Sequence, residues 1–472
     1  MIPASQRPLS LAFLLLLALL AVLFVAGGAV RADALGQAVT RAATWLLLIA
    51  AILLGMRPST AGIKPVVIFL GAAVLLVLLQ LVPLPPAIWH ALPGRAPFAE
   101  AAIVNGVWRP WTIVPGATIN AASSLIVPIA TLLFLACLDE RQRRWLPGLL
   151  LGLIGASTLV GLLQFSGARF DNPLINESVG QVSGTFANRN HFALFLAFGC
   201  LLAPVWAFGD RERAGLRGLI AIGLVLLFTL TILASGSRAG ILVGATALAI
   251  GLALSWKSIG RELHRAPRWV FPALIAAIVG MIVIFILISV AADRAVSIDR
   301  ALANDPGEDM RTRGLPTVLA MVSAYFPAGT GFGSFDPVFR IHEPLELLKR
   351  TYFNHAHNDF LELVLDGGLP ALVLIAAALG WWGIATWRVW RGQDDHRGRM
   401  ARLGSAMLLL VFIASVVDYP ARTPMVMVMI LIAAVWLSRG ADPVQRPDLA
   451  EPAPRQRAAD SSLGRESHQT YA

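Results

Sequence analysis

The sequence predicts an all-α, polytopic membrane bundle of about twelve transmembrane helices with one large loop on the outer side. Three observations lead there. Of 472 residues, 57% are hydrophobic and 14% charged, whereas a soluble chain carries about a quarter charged residues. Apolar runs recur between charged or Pro/Gly-rich breaks, and a bilayer needs ~20 apolar residues per helix. Basic residues fall unevenly across those breaks, as expected when loop charge sets orientation.

The runs lie near 9–30, 40–56, 65–84, 121–138, 145–165, 191–208, 218–234, 240–255, 269–292, 370–387, 404–418 and 424–437. The first follows Arg7 and precedes Ala32-Asp33-Ala34, which imitates a signal peptide, but it is too long for a signal h-region and is read as a span. If the amino terminus starts inside, cytoplasmic segments hold eighteen basic residues without the tail, against eight on short outer segments. Both termini are therefore expected in the cytoplasm. The surplus of 38 Lys+Arg over 28 Asp+Glu is read as this topology signal and not as a nucleic-acid surface. Cys137 and Cys200 lie inside apolar runs, so no disulfide framework or Cys-based metal site is expected.

Four parts follow: spans with short loops over 1–292, a large outer loop and re-entry segment over 293–369, further spans over 370–437, and a tail over 438–472. The tail is rich in Pro, Arg, Asp and Ser and is expected to be disordered. No internal repeat of the transporter kind is visible.

Polar chemistry concentrates on the outer side. At the start of one span, Asn188-Arg189-Asn190-His191 forms a donor-rich mouth suited to hydroxyl or phosphate ligands; helix capping and snorkelling are the plainer alternative. Arg238 sits in the small-residue turn Ser235–Gly240 between two uncharged runs. Its guanidinium fork can grip two phosphate oxygens. The long loop adds Arg311, Arg313 and Arg340 among acidic neighbours. Its glycines at 329, 331 and 333 lack the strand–turn–helix context of a dinucleotide fingerprint and are read as a tight turn. Asn354-His355-Ala356-His357-Asn358-Asp359 then offers imidazoles able to take a proton near neutral pH. His-x-His also suggests a metal, but no second His/Cys cluster completes a zinc site.

These motifs, in this order, resemble the O-antigen ligase and polymerase superfamily of bacterial envelope glycan assembly. The resemblance rests on Gly184–Phe192, Ser235–Gly240, Arg311-Thr312-Arg313, Pro327–Gly333, and His357–Glu362 with Gly367-Gly368-Leu369-Pro370. It implies a glycosyltransferase of the inner membrane, active at its periplasmic face, so that the outer loop is periplasmic. The donor would be a glycan on undecaprenyl diphosphate and the acceptor a hydroxyl of lipid A-core, another glycan or a protein; no cofactor or essential metal is implied. Carried onto this chain, the diphosphate arginines are Arg238 and Arg311 or Arg313, and the base is His357, with His355 an additional candidate. Asn188, Arg189, Asn190, His191, Arg340 and Asn358 are expected to bind substrate. Direct attack by the acceptor would invert the anomeric centre. A transporter or flippase of lipid-linked glycans is the alternative of another class; it would need functional polar groups near the bilayer midplane.

Overall fold

In hydrocarbon every backbone donor and acceptor must pair internally, so apolar runs of this length fold as helices. The computed structural model describes residues 9–100, 106–167, 172–176, 180–208, 214–265, 306–348 and 353–442, with a few isolated positions between 272 and 283. Its helices are α1 (Leu11–Ala26), α2 (Leu35–Leu53), α3 (Lys64–Leu79), α4 (Pro86–Ala91), α5 (Ala96–Glu100), α6 (Pro115–Ser124), α7 (Ile126–Cys137) and α8 (Glu140–Phe165). They continue with α9 (Arg189–Ala207), α10 (Ala214–Ala234), α11 (Arg238–Arg265), α12 (Pro306–Tyr325), α13 (Phe335–His342), α14 (Asp359–Trp390), α15 (His396–Val417) and α16 (Pro424–Ala441). Residues Pro83–Leu84 pair antiparallel with Arg109–Pro110. That is the one sheet among the described residues.

Nine stretches among these residues are long and apolar enough to cross a membrane, α6 and α7 counting together. The shorter apolar helices α1 and α3 occupy the first and third expected runs. The expected run at 269–292, the start of the long loop and the tail beyond 442 lie outside the described residues, apart from the isolated positions noted above.

Helix starts follow polar caps. Ser10 caps α1, Asp139 and Gln142 form a capping box on α8, and Asn188, Asn358 and Asp395 cap α9, α14 and α15. The core centres on α9, whose residues from His191 to Val205 are all buried. It is wrapped by α8, α10, α11 and α15. Small residues permit the closest approaches: a Cβ on Gly404 would meet the Ala433 carbonyl oxygen at 2.3 Å, and one on Gly440 would meet the Ala401 Cβ at 2.2 Å. This packing carries α16 through Ser438 to Ala441, beyond the 437 boundary read from the sequence.

Two further boundaries differ. The long loop contains α12 and α13, because Val318, Met321, Tyr325, Phe335, Val338 and Phe339 bury a common apolar face with Phe353 and Leu365. The span expected from Pro370 begins at Asp359; its first turns carry three carboxylates, which interrupt the apolar run but are compensated in space, as described below. Between the halves of α14, Gly368 adopts φ 60° and ψ −147°, a conformation suited to glycine.

Pro370 has no N–H to return to Asp366, and the Leu369 N–H bonds the Pro327 carbonyl instead, at 2.9 Å. The freed carbonyls of Leu365 and Asp366 accept from Thr330 and Gly331 at 3.0 and 2.8 Å. The Asp366 carbonyl also accepts from Gln80 Nε2 at 3.0 Å. The helix break thereby becomes the docking point of the 329–334 turn.

Candidate active site

Between α15 and α16 the chain runs Asp418-Tyr419-Pro420-Ala421-Arg422-Thr423. Asp418, buried at the end of α15, is the hub of the site. Its carboxylate accepts from Asn188 Nδ2 at 3.3 Å and from Asn190 Nδ2 at 2.5 Å, and it lies 3.3 Å from His357 Nδ1. Arg311 Nη2 stands at 3.6 Å and His191 Nε2 at 3.8 Å. Burial alone would raise this carboxyl; the imidazoles of His191 and His357 outweigh burial and hold it well below the usual carboxylate range. His191 is oriented from its other side by Thr423 Oγ1, 2.8 Å from Nδ1.

His357 has φ 50°, an uncommon conformation for a non-glycine residue. It aims the ring between Phe353 and Tyr419, with centroids 5.3 and 4.9 Å away. Burial lowers its pKa, with Arg311 and His355 adding to the fall, while Asp418 opposes it.

A second imidazole–carboxylate pair lies alongside. His355 Nδ1 is 2.9 Å from Glu362 Oε1, and its ring lies against that of Tyr419 with centroids 4.2 Å apart and planes tilted by 39°. Glu362 belongs to a ladder on one face of α14, at the i, i+3, i+7 spacing of a helix. The ladder is Asp359, Glu362 and Asp366, all buried. Arg422 serves the three, at 3.6, 3.1 and 3.8 Å. Burial would lower the Arg422 guanidinium, but Glu362, Asp366 and Asp359 raise it. The same carboxylates also accept from Ser415 Oγ and from the backbone N–H groups of Ala421, Ala356 and Gly333 at 2.8–3.2 Å.

Two cavities flank this partition. One, of ≈ 560 Å³, is polar and cationic, lined by Asn188, Arg189, Asn190, Arg238, Arg311, Asn354 and Tyr419. The first residues of α9 and α11 border it, so two helix N-termini add to its positive field. The other, of ≈ 580 Å³, has a mostly apolar wall into which Arg41, Asn354, His355 and Arg422 also enter.

Of the residues singled out in the sequence, Arg189, Arg238, Arg311, Asn188 and Asn190 thus meet around one cleft, with His357 and His191 on the shared Asp418 and His355 on the neighbouring cavity. Three do not join them. Arg313 reaches the Glu346 carbonyl at 3.2 Å. Arg340 forms a two-point pair with Asp336 at 2.8 and 2.9 Å. Asn358 uses its oxygen to cap α14 and its Nδ2 to donate to the Val416 carbonyl. Asn188 combines both readings: its oxygen accepts from the Asn190 N–H as a cap, while its amide nitrogen serves Asp418.

Sequence reasoning missed Asp418, Tyr419, Arg422 and Asp366, the last member of the α14 ladder. The available signal was two charges, Asp418 and Arg422, placed in the short break between two long apolar runs, where an uncompensated charge is costly.

Residues 222–376 match a family model described as O-antigen ligase, a stretch that contains Arg238, Arg311, His355 and His357 and stops short of Asp418. No curated protein matches the chain. Over that third of the chain the protein is thus similar to O-antigen ligases, and nine stretches among the described residues have the length and apolarity of membrane spans.

Proposed function

We propose that the protein transfers a glycan from an undecaprenyl diphosphate carrier to an acceptor hydroxyl, at the periplasmic face of a bacterial inner membrane. The observation that carries this reading is the convergence of Arg311 and His357 on Asp418 beside a cleft that also presents Arg189 and Arg238. The acceptor oxygen attacks the anomeric carbon, the bond from that carbon to the diphosphate oxygen breaks, and the configuration inverts. Arg238 and Arg311 stabilise the diphosphate as its charge grows. An Nδ1–H of His357 directed at Asp418 leaves the Nε2 lone pair to take the acceptor's proton. These groups stand at helix ends, which favours surface chemistry over the midplane binding that a transporter requires.

The test is transfer by purified protein supplied with lipid-linked donor. His357→Ala is expected to lower kcat by about 10²–10⁴-fold with membrane insertion unchanged; near-normal turnover removes the role. Arg238→Lys keeps the charge and loses the fork. It should raise the donor KM by about tenfold or more, and an unmoved donor KM would unseat it.

The pH profile carries a separate expectation. An ordinary histidine titrates near 6.5, and His357 is displaced downward by its burial. The neutral, proton-accepting form therefore survives to lower pH, and the acid limb of kcat/KM, which reports the free enzyme, should fall below pH ~6.5. An acid limb above that value would contradict His357 as the base.

A further inference from the structure

We infer that Arg143 and Arg439 form a binding site for a phosphate-class anion at the end of the bundle opposite the candidate active site, independently of the transfer reading above. α15 and α16 make a hairpin whose turn is Asp418–Thr423. α15 has 22 residues, about 33 Å at ~1.5 Å per residue, so its start lies a membrane's width from Asp418. There the end of α16 packs on α15: a Cβ on Gly440 would meet the Ala401 Cβ and, at 3.5 Å, the Arg397 carbonyl oxygen. The first turn of α8 joins them through Glu140 Oε1, which stands 2.7 Å from Arg143 Nη1 and 3.9 Å from Arg439 Nη1.

Two guanidinium groups thus share one carboxylate. Both are largely covered by protein, with side chains 18% and 11% exposed, whereas Glu140 is 77% exposed. Each Nε is buried and has no hydrogen-bond partner. The other acids at the starts of α8 and α15 are engaged elsewhere: Asp139 accepts from the Gln142 N–H at 2.7 Å, Asp395 from the Gly398 N–H at 2.6 Å, and Asp394 pairs with Arg402 at 2.8 Å. Arg143 and Arg397 also act on Arg439 as like charges. A basic residue that only sets topology can stand in water, as the exposed Arg261 does. A covered cation with a shared counter-ion is costly, and an added anion offsets that cost.

A phosphate group suits these residues because guanidinium forks offer paired N–H donors to its oxygens. Glu140 Oε1 stands where such an oxygen would bridge both arginines, and the exposure of its side chain leaves it free to turn aside. The phosphate belongs either to an anionic lipid headgroup of that leaflet, which basic sites between helix ends bind, or to a free ion. Bound there, it would close the open end of the hairpin whose turn carries Asp418 and Arg422.

The test follows the unfolding midpoint of the full chain in mixed micelles of neutral detergent and phosphatidylcholine. Phosphatidylglycerol, inorganic phosphate or further phosphatidylcholine is then titrated in. One or both of the anions should raise the midpoint, and phosphatidylcholine should not. Arg439→Gln should increase the concentration needed for half the shift by at least about fivefold, the worth of one arginine beside an anionic headgroup. Arg143→Gln should do the same and serves if Arg439→Gln does not fold. Glu140→Gln, which removes the competing oxygen, should lower that concentration by about threefold, and Arg261→Gln should leave it unmoved. A response to phosphatidylglycerol alone names a lipid headgroup, and an equal response to inorganic phosphate names the free ion; either one, weakened in the arginine variants, upholds the site. No response to either anion, an equal response to phosphatidylcholine, a response unmoved by the two arginine variants, the same loss in Arg261→Gln, or a response that Glu140→Gln abolishes overturns it.

Discussion

Asp418→Asn is expected to lower glycan transfer by about a thousandfold or more, the largest effect of any single side chain outside the imidazole itself. The substitution keeps the volume and removes the charge on which Asn188, Asn190, His357 and Arg311 converge. An amide can present its NH₂ to His357, which would favour the wrong ring tautomer and leave no basic Nε2. It also removes the one neighbour that raises the His357 pKa, so the residual activity should have its acid limb displaced further to low pH. Steady-state kinetics on the single variants and on Asp418→Asn with His357→Ala decide the matter. If the pair acts as one unit, the double variant is little slower than His357→Ala alone; multiplicative losses would show that Asp418 works only by holding the fold.

The second large effect concerns stability. Arg422→Gln removes the cation shared by Asp359, Glu362 and Asp366 and leaves three buried carboxylates facing one another. Breaking a buried ion network by deleting one partner costs about 3–5 kcal/mol, enough to lower the unfolding midpoint of purified protein clearly. Arg422→Lys should recover part of the loss, and Glu362→Gln placed on the Arg422→Gln background should recover more, because it removes charge that no longer has a partner. An unfolding curve unchanged by Arg422→Gln would mean that the ladder is balanced by other means. Since Glu362 also orients His355, transfer measured below the new midpoint reports how far this second imidazole depends on the ladder.

The positions of the apolar helices were legible from hydropathy alone, because hydrocarbon leaves the backbone one inexpensive solution. A gathering of Arg238, one arginine of Arg311/Arg313 and one histidine of His355/His357 was expected from the resemblance that their motifs carry. What escaped were partners that only folding brings near. Asp418 lies 61 positions from His357 along the chain, and nothing local in either segment announces the other. The α14 carboxylates masked a helix start, since the apolar run was counted from Pro370 while Asn358 and Arg422 together make Asp359 a viable first residue. The choice between Arg311 and Arg313 turns on their directions from α12, toward Asp418 or toward the Glu346 carbonyl. Sequence spacing holds no information on that.

The break at Gly368 and Pro370 bears on how such enzymes can be recombined. The 329–334 segment satisfies carbonyls that α14 gives up at the break, and Gly331 leaves no room for a side chain because a Cβ there would meet Thr112 Oγ1 at 1.8 Å. Loop and span are thus a single heritable module: a graft exchanging the outer segment alone would orphan amides on one parent and carbonyls on the other. Shuffling of acceptor specificity between related chains should place its crossover points before α12 and beyond Pro370, not at the apparent edge of the membrane.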